Sequence, residues 1–119
     1  MPLKTTPESG GIYRLDVSGL LSKADFERSQ VTIAGAIARS GPIKLLVVLD
    51  RFGGWAPDDD WGGMNFYMTE GDAIQRIAIV GDERWRDEML MFAVADLRKA
   101  PVEYFPESEI KYARAWLSR

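Results

Sequence analysis

The sequence predicts an α/β domain, a mixed sheet of about four strands with flanking helices, on three observations. The run Ile43–Asp50, I-K-L-L-V-V-L-D, is apolar apart from Lys44 until its terminal aspartate. Bounded by Gly41-Pro42 and Gly53-Gly54, it has the composition of a strand covered on both faces. A second run, Ile77–Val80, has the same character and also stops at a turn, Gly81-Asp82. The segments around these runs carry apolar residues at helical spacing, so helices pack on the sheet and a βαβ core follows.

At 119 residues the chain is one domain, 1–119, long enough to bury a core without disulfides or metal. Its 46% hydrophobic and 28% charged residues are ordinary for a soluble globular protein. A net charge of -3 argues against a nucleic-acid face and against electrostatic attachment to an anionic membrane. No apolar segment approaches the ~20 residues that span a bilayer. The start, Met1–Pro7, lacks the apolar stretch of a signal peptide, and the cytoplasm is the default location. Cysteine is absent, which excludes disulfides, thiol catalysis and zinc–thiolate sites. Histidine is absent too, which removes the commonest general base and the commonest transition-metal ligand. A Ser-His-Asp triad is therefore impossible within one chain. Nothing in the sequence calls for a cofactor, and a non-catalytic role is expected.

Taken in order, residues 1–10 read as a polar, flexible lead-in. Tyr13–Val17 alternates apolar with polar, as a half-exposed strand should, and Gly19 ends it. Ser22 and Asp25 stand at capping-box spacing, with Leu21 and Phe26 flanking them as a hydrophobic staple. Phe26, Gln30, Ile33, Ala34 and Ile37 then form one mainly apolar helical stripe. Gly41-Pro42 stops this helix, and Gly35 inside it suggests a close approach to the sheet. The central strand is Ile43–Leu49. After it, Arg51–Gly71 concentrates aromatics and glycines around Asp58-Asp59-Asp60, with a short helix expected over Trp61–Thr69. A strand over Gln75–Val80 leads through Gly81-Asp82 into a helix from about Glu83 to Lys99, with Asp82 as its N-cap. Val102–Phe105 is a short edge strand. The segment from Pro106 to Arg119 closes the chain as a helix turning Ile110, Ala113, Trp116 and Leu117 inward. The order is β-α-β-α-β-α-β-α.

The central L-L-V-V-L-D strand, a Trp-bearing loop after it, I-Q-R-I-A-I-V-G-D-E-R-W, and V-E-Y-F before a closing helix ending A-R-A-W-L occur together. In these features the chain resembles the SpoIIAA-like family, a branch of the STAS fold, over most of its length. The resemblance implies a mixed sheet with helices around it and no established catalytic activity. Wider STAS members include anti-sigma-factor antagonists with a phosphorylatable Ser in the loop after the central strand. Here that loop, Asp50–Ala56, holds no Ser or Thr, so no phosphorylation site is assigned. SpoIIAA-like relatives also resemble CRAL-TRIO lipid-carrier domains, which implies an apolar ligand or a membrane-associated role.

The candidate ligand-binding residues are Phe52, Trp55, Trp61, Met64, Phe66 and Met68, with Trp85 and Met89 as the facing wall. Ligands of open α/β sheets bind beyond the carboxyl ends of the strands, where a loop leaving the central strand lies. Aromatic and Met side chains on a Gly-punctuated segment suit an adaptable apolar pocket, and equally a loop folded down as satellite core. Asp58-Asp59-Asp60 lacks the spaced ligands of a calcium loop and reads as a helix cap, so no metal is expected. Gly81-Asp82 lacks the glycines and lysine of a phosphate loop. The expected function is a binding module for a small hydrophobic or lipid-like ligand in a crevice under 52–68. The alternative is a protein–protein regulatory domain, with a homodimer or a protein partner on the exposed aromatics. Peripheral membrane association fits the first reading, and a carboxylate-only enzyme is the remote third.

Overall fold

The computed structural model describes residues 3–57, 73–92 and 100–119. Among these, five strands, β1 (Leu3–Pro7), β2 (Ile12–Leu21), β3 (Ile43–Trp55), β4 (Ile74–Gly81) and β5 (Val102–Pro106), form one sheet in chain order. β1 pairs antiparallel with β2, and the other three pairings are parallel. Among the described residues three α-helices flank it: α1 (Lys23–Ser40), α2 (Arg86–Phe92) and α3 (Ile110–Leu117). This is the mixed α/β sheet expected, with one strand more.

The extra strand is a correction. Residues 3–7, part of the stretch 1–10 read as a polar, flexible lead-in, pair along β2 from Leu3 with Val17 to Pro7 with Tyr13. Nothing in L-K-T-T-P announces a strand; the partner supplies the order, and Pro is tolerated because β1 is an edge.

Side chains alternate across β3 and β4 and fill two interiors. Leu45, Val47, Leu49, Ile77 and Ile79 enter a core with Phe26 and Ile33 of α1 and Met89 of α2. Leu46, Ala78 and Val80 enter another with Ile12 and with Ala113 and Leu117 of α3. That two-sided burial explains why the two strands read as unbroken apolar runs. Leu45, Leu46, Ile77 and Ile79 are 0–2% exposed, and each such side chain contributes about 2 kcal/mol by leaving water.

α1 begins as its sequence requires. The Ser22 hydroxyl accepts from the Asp25 backbone N–H at 3.1 Å and donates to the Asp25 carboxylate at 2.9 Å. Asp25 also pairs with Arg28. At the far end Gly41, at φ 82°, donates its N–H to Ile37 O at 2.7 Å. Among the described residues Gly35 does not approach the sheet: a Cβ there would meet the Arg39 guanidinium, at 3.4 Å, and no sheet atom within 4 Å. Its expected packing role is not found.

Two strands run further than the sequence suggests. β2 continues past Gly19, and β3 continues past Leu49 to Trp55. The pairing passes from Ser18–Asp50 to Gly19–Phe52 and then to Leu20–Gly54, so Arg51 and Gly53 are extra residues on the β3 side. Such bulges bend a strand without ending it. Arg51 takes the left-handed conformation, at φ 55°. The glycines that resembled a turn thus serve the bulges, and Trp55 is carried out to the carboxyl end of the sheet.

Candidate functional site

The site grows from that extended end of β3. Phe52 is buried, and Trp55 follows three residues later, half-buried. Their rings meet edge to face with centroids 5.2 Å apart. Trp85, from the turn before α2, contacts Phe52 at 4.9 Å and Trp55 at 6.2 Å. Edge-to-face pairs of this kind add about 1 kcal/mol beyond burial. Trp85 reaches this position across Gly54, where a Cβ would lie 3.3 Å from its ring, and the φ of 100° independently favours glycine. The Arg84 guanidinium covers the Trp85 ring at 4.7 Å. Asp82 caps this turn, accepting the Arg84 N–H at 2.9 Å, as its position after the strand implied.

The structure therefore joins Phe52, Trp55 and Trp85 in one aromatic wall and buries Met89 in the core behind it. Trp61, Met64, Phe66 and Met68 lie outside the described residues. So do the acidic triplet Asp58-Asp59-Asp60, the expected helix over 61–69, and residues 93–99 of the helix expected to follow Glu83. From Glu83 the chain makes a 3₁₀ turn to Trp85 before α2 begins at Arg86.

Two further aromatic residues join the wall. Phe92, three residues beyond Met89, meets Trp55 at 5.4 Å, and Phe26 of α1 meets Phe92 at 5.0 Å. The stripe beginning at Phe26 marked a buried face, but sequence carries no sign that α1 and α2 bring Phe26 and Phe92 together. Behind these rings lies an apolar cavity of about 40 Å³, whose walls include Leu15, Val17, Phe26, Val47, Met89 and Phe92. In front of them, Trp55, Glu88, Met91 and Phe92 line an open groove of about 400 Å³. Phe92 belongs to both.

Among the described residues two buried polar side-chain atoms lack partners. Trp55 Nε1 and Gln30 Nε2 are buried without a hydrogen bond. A buried N–H left unpaired costs about 1–3 kcal/mol, so each calls for an explanation. Gln30, 9% exposed and one turn beyond Phe26 on α1, was the polar member of an otherwise apolar stripe. That was its signal.

The buried hydroxyls nearby hold backbone. Ser29 donates to Phe26 O at 2.7 Å, and Tyr104 donates to Asp82 O at 2.6 Å. Burial, reinforced by the carboxylates of Glu83, Asp82 and Glu107, pushes the Tyr104 hydroxyl up to about 12. It stays protonated at neutral pH. Among the described residues no three His, Cys, Asp or Glu side chains gather as a metal site. No helix among them is long and apolar enough to cross a membrane.

With this geometry in view, the chain is similar to an uncharacterised protein with a SpoIIAA-like fold from Shewanella loihica PV-4. That likeness has a TM-score of 0.72 at 16% identity, over 97% of this chain and 91% of that one. The anti-sigma factor antagonist SpoIIAA in its unphosphorylated form is similar too. There the TM-score is 0.65 at 12% identity, covering 96% of this chain and 97% of that one. At such identities the likeness shows the fold. No curated protein matches the sequence. The SpoIIAA-like family model matches residues 12–118, from the start of β2 to just past α3, and the chain belongs to that family.

Proposed function

We propose that this chain is a non-catalytic, cytoplasmic binding domain that takes a small hydrophobic or lipid-like ligand against the wall of Phe52, Trp55 and Trp85, with Met89 behind it. The observation that carries the reading is the continuous run of rings from Phe52 to Phe26 at the carboxyl end of the sheet. That is where open α/β sheets hold ligands. The groove in front of Trp55 and Phe92, about 400 Å³, is a shallow surface open to solvent. The inner cavity, about 40 Å³, is too small for such a ligand, so the groove is the receiving surface. The engagement of the Ser29 and Tyr104 hydroxyls with backbone supports binding over catalysis.

A regulatory protein–protein domain is the second reading. Met91, 78% exposed beside Trp55 and Phe92, favours it. So does the shared fold of an anti-sigma factor antagonist.

Native mass spectrometry of the purified chain, followed by denaturing extraction, separates the two. A bound amphiphile near one-to-one stoichiometry, lost in Trp55→Ala, supports the ligand site. A ligand-free dimer whose association weakens in Met91→Ala supports the interaction domain instead.

A further inference from the structure

We propose that β1 is a docking edge for a second copy of this chain, the two β1 strands pairing antiparallel across a two-fold axis to join their sheets. The inference goes beyond the ligand reading and uses none of the residues around Trp55.

Among the described residues β1 pairs with β2 alone, and its other edge is free. The turn between the two strands decides which groups face that edge. The Glu8 N–H donates to Ile12 O at 2.8 Å, so Glu8 and Ile12 form a hydrogen-bonded pair. Alternation along an antiparallel ladder then commits Thr6 and Lys4 to β2. It turns outward the N–H and C=O of Leu3 and Thr5, and the C=O of Pro7. The N–H that proline lacks is thus one that β2 does not need. An outward row of this kind is a template for another strand.

The row is nearly self-complementary. With Thr5 facing its own copy on the axis, the two threonines exchange both N–H···O bonds, and each Leu3 N–H meets a Pro7 C=O. These bonds satisfy every outward group except the Leu3 carbonyl. Lys4 then faces Thr6, whereas a register centred on Lys4 would oppose two like charges. Antiparallel pairing of identical strands also closes as a two-fold dimer. Beside the edge lies an open groove of about 650 Å³, whose walls include Leu3 and Thr5 of β1 and Asp25, Arg28, Ser29 and Thr32 of α1. Leu3, Thr5 and Pro7 share one face of β1, and Leu3 packs against the core covered by α1. The same three side chains of the added strand therefore enter this groove. They are neutral, which suits a groove whose Asp25 and Arg28 already pair with each other.

Sedimentation equilibrium of the full chain should show concentration-dependent association to twice 13.4 kDa. Thr5→Pro removes an outward N–H from each copy and should weaken the dimer about tenfold, the worth of two net hydrogen bonds. Thr5→Lys sets two cations face to face on the axis and should weaken it as well. Amide exchange of the wild type gives a readout that needs no variant. The Thr5 N–H should exchange quickly in dilute protein and become protected as concentration rises, while the Thr6 N–H, bonded to β2, is protected at both. A chain that stays monomeric up to about 1 mM overturns the proposal. So does a dimer that survives both Thr5 substitutions, or one that Met91→Ala dissociates while the Thr5 amide stays unprotected.

Discussion

Successive residues of β3 enter two different interiors. Leu46 meets Ala78, Ala113 and Leu117 beneath α3, where the small alanines let helix and sheet approach closely. Polar groups at the margin of that face are paired. Arg76 donates to Trp116 O at 2.7 Å with its guanidinium 5.2 Å over the same ring, and Arg114 pairs with Glu8. Leu45 and Val47 face the other way, toward α1 and α2, into a core with a cavity and two unpartnered donors. One sheet is thus closed on one side by complementary packing and left incomplete on the other. Unsatisfied buried groups call for an explanation, and the incomplete side is the one to which the proposed ligand is assigned, called the ligand side below.

The sharpest way to break this comparison is to disturb the closed side. Leu117 has no exposed surface, and Leu117→Ala should cost about 3 kcal/mol in urea unfolding while leaving ligand binding intact. A cost below about 1 kcal/mol would mean that the α3 face is as loosely filled as the other. The ligand side is tight in one place, at Gly81. A Cβ there would lie 2.8 Å from both Leu49 Cβ and Cδ1 and 2.9 Å from the Tyr104 hydroxyl. Gly81→Ala is therefore expected to cost about 2 kcal/mol. If it proves neutral by the same measurement, the slack around the cavity extends to the sheet edge.

Much of this contrast could be read before the structure. I-K-L-L-V-V-L-D required burial on both faces, and Ser22 with Asp25 placed the start of α1 correctly. That Phe52, Trp55 and Trp85 would lie near one another was readable because aromatics gathered near two strand ends. What stayed hidden depends on partners remote in sequence. β1 is a strand only because β2 pairs with it. Gly53-Gly54 looks like a turn until the bulged register against Gly19 and Leu20 is known. The contact of Phe26 with Phe92 comes from α1 and α2 sharing one face of the sheet. The lack of a partner at Trp55 Nε1 is likewise a property of the packed state.

Two substitutions sharpen the ligand side. Gln30→Leu replaces the unpaired amide with an apolar group of similar size and should raise stability by about 1 kcal/mol in urea unfolding. Destabilisation instead would show that the amide has a partner in solution. Tyr104→Phe removes the bond to Asp82 O that anchors the turn carrying Trp85, at a cost of about 1 kcal/mol at neutral pH. Its pH profile is more informative. The native hydroxyl titrates near 12, against 10.0 in the unfolded chain, so the protonated form is favoured by folding. That stabilisation is complete below pH 10 and lost as pH rises toward 12. Denaturant titrations from pH 8 to 12 should show the wild type losing its advantage over Tyr104→Phe in that window. A constant difference would place the hydroxyl in a solvated setting.

The smallest effect belongs to the closed side. Glu8 lies between β1 and β2, where its N–H donates to Ile12 O at 2.8 Å, and its carboxylate pairs with Arg114 of α3. The hydrogen bond from Arg114 holds the Glu8 carboxyl below the ordinary 4.5, against an opposing effect of burial. A carboxyl lowered by folding stabilises the native state above its unfolded value, and that contribution disappears as pH falls through the native value. Both side chains are partly solvated, so the pair contributes about 0.5 kcal/mol. Glu8→Gln should therefore be less stable than the wild type by that amount from pH 5 to 8, with the two curves converging below pH 4.5. Salt should shrink the gap, because screening acts on a pair this exposed. If the gap instead widens in acid, Glu8 is held by its packing between β1 and β2, and the ion pair with α3 is incidental to the closed face.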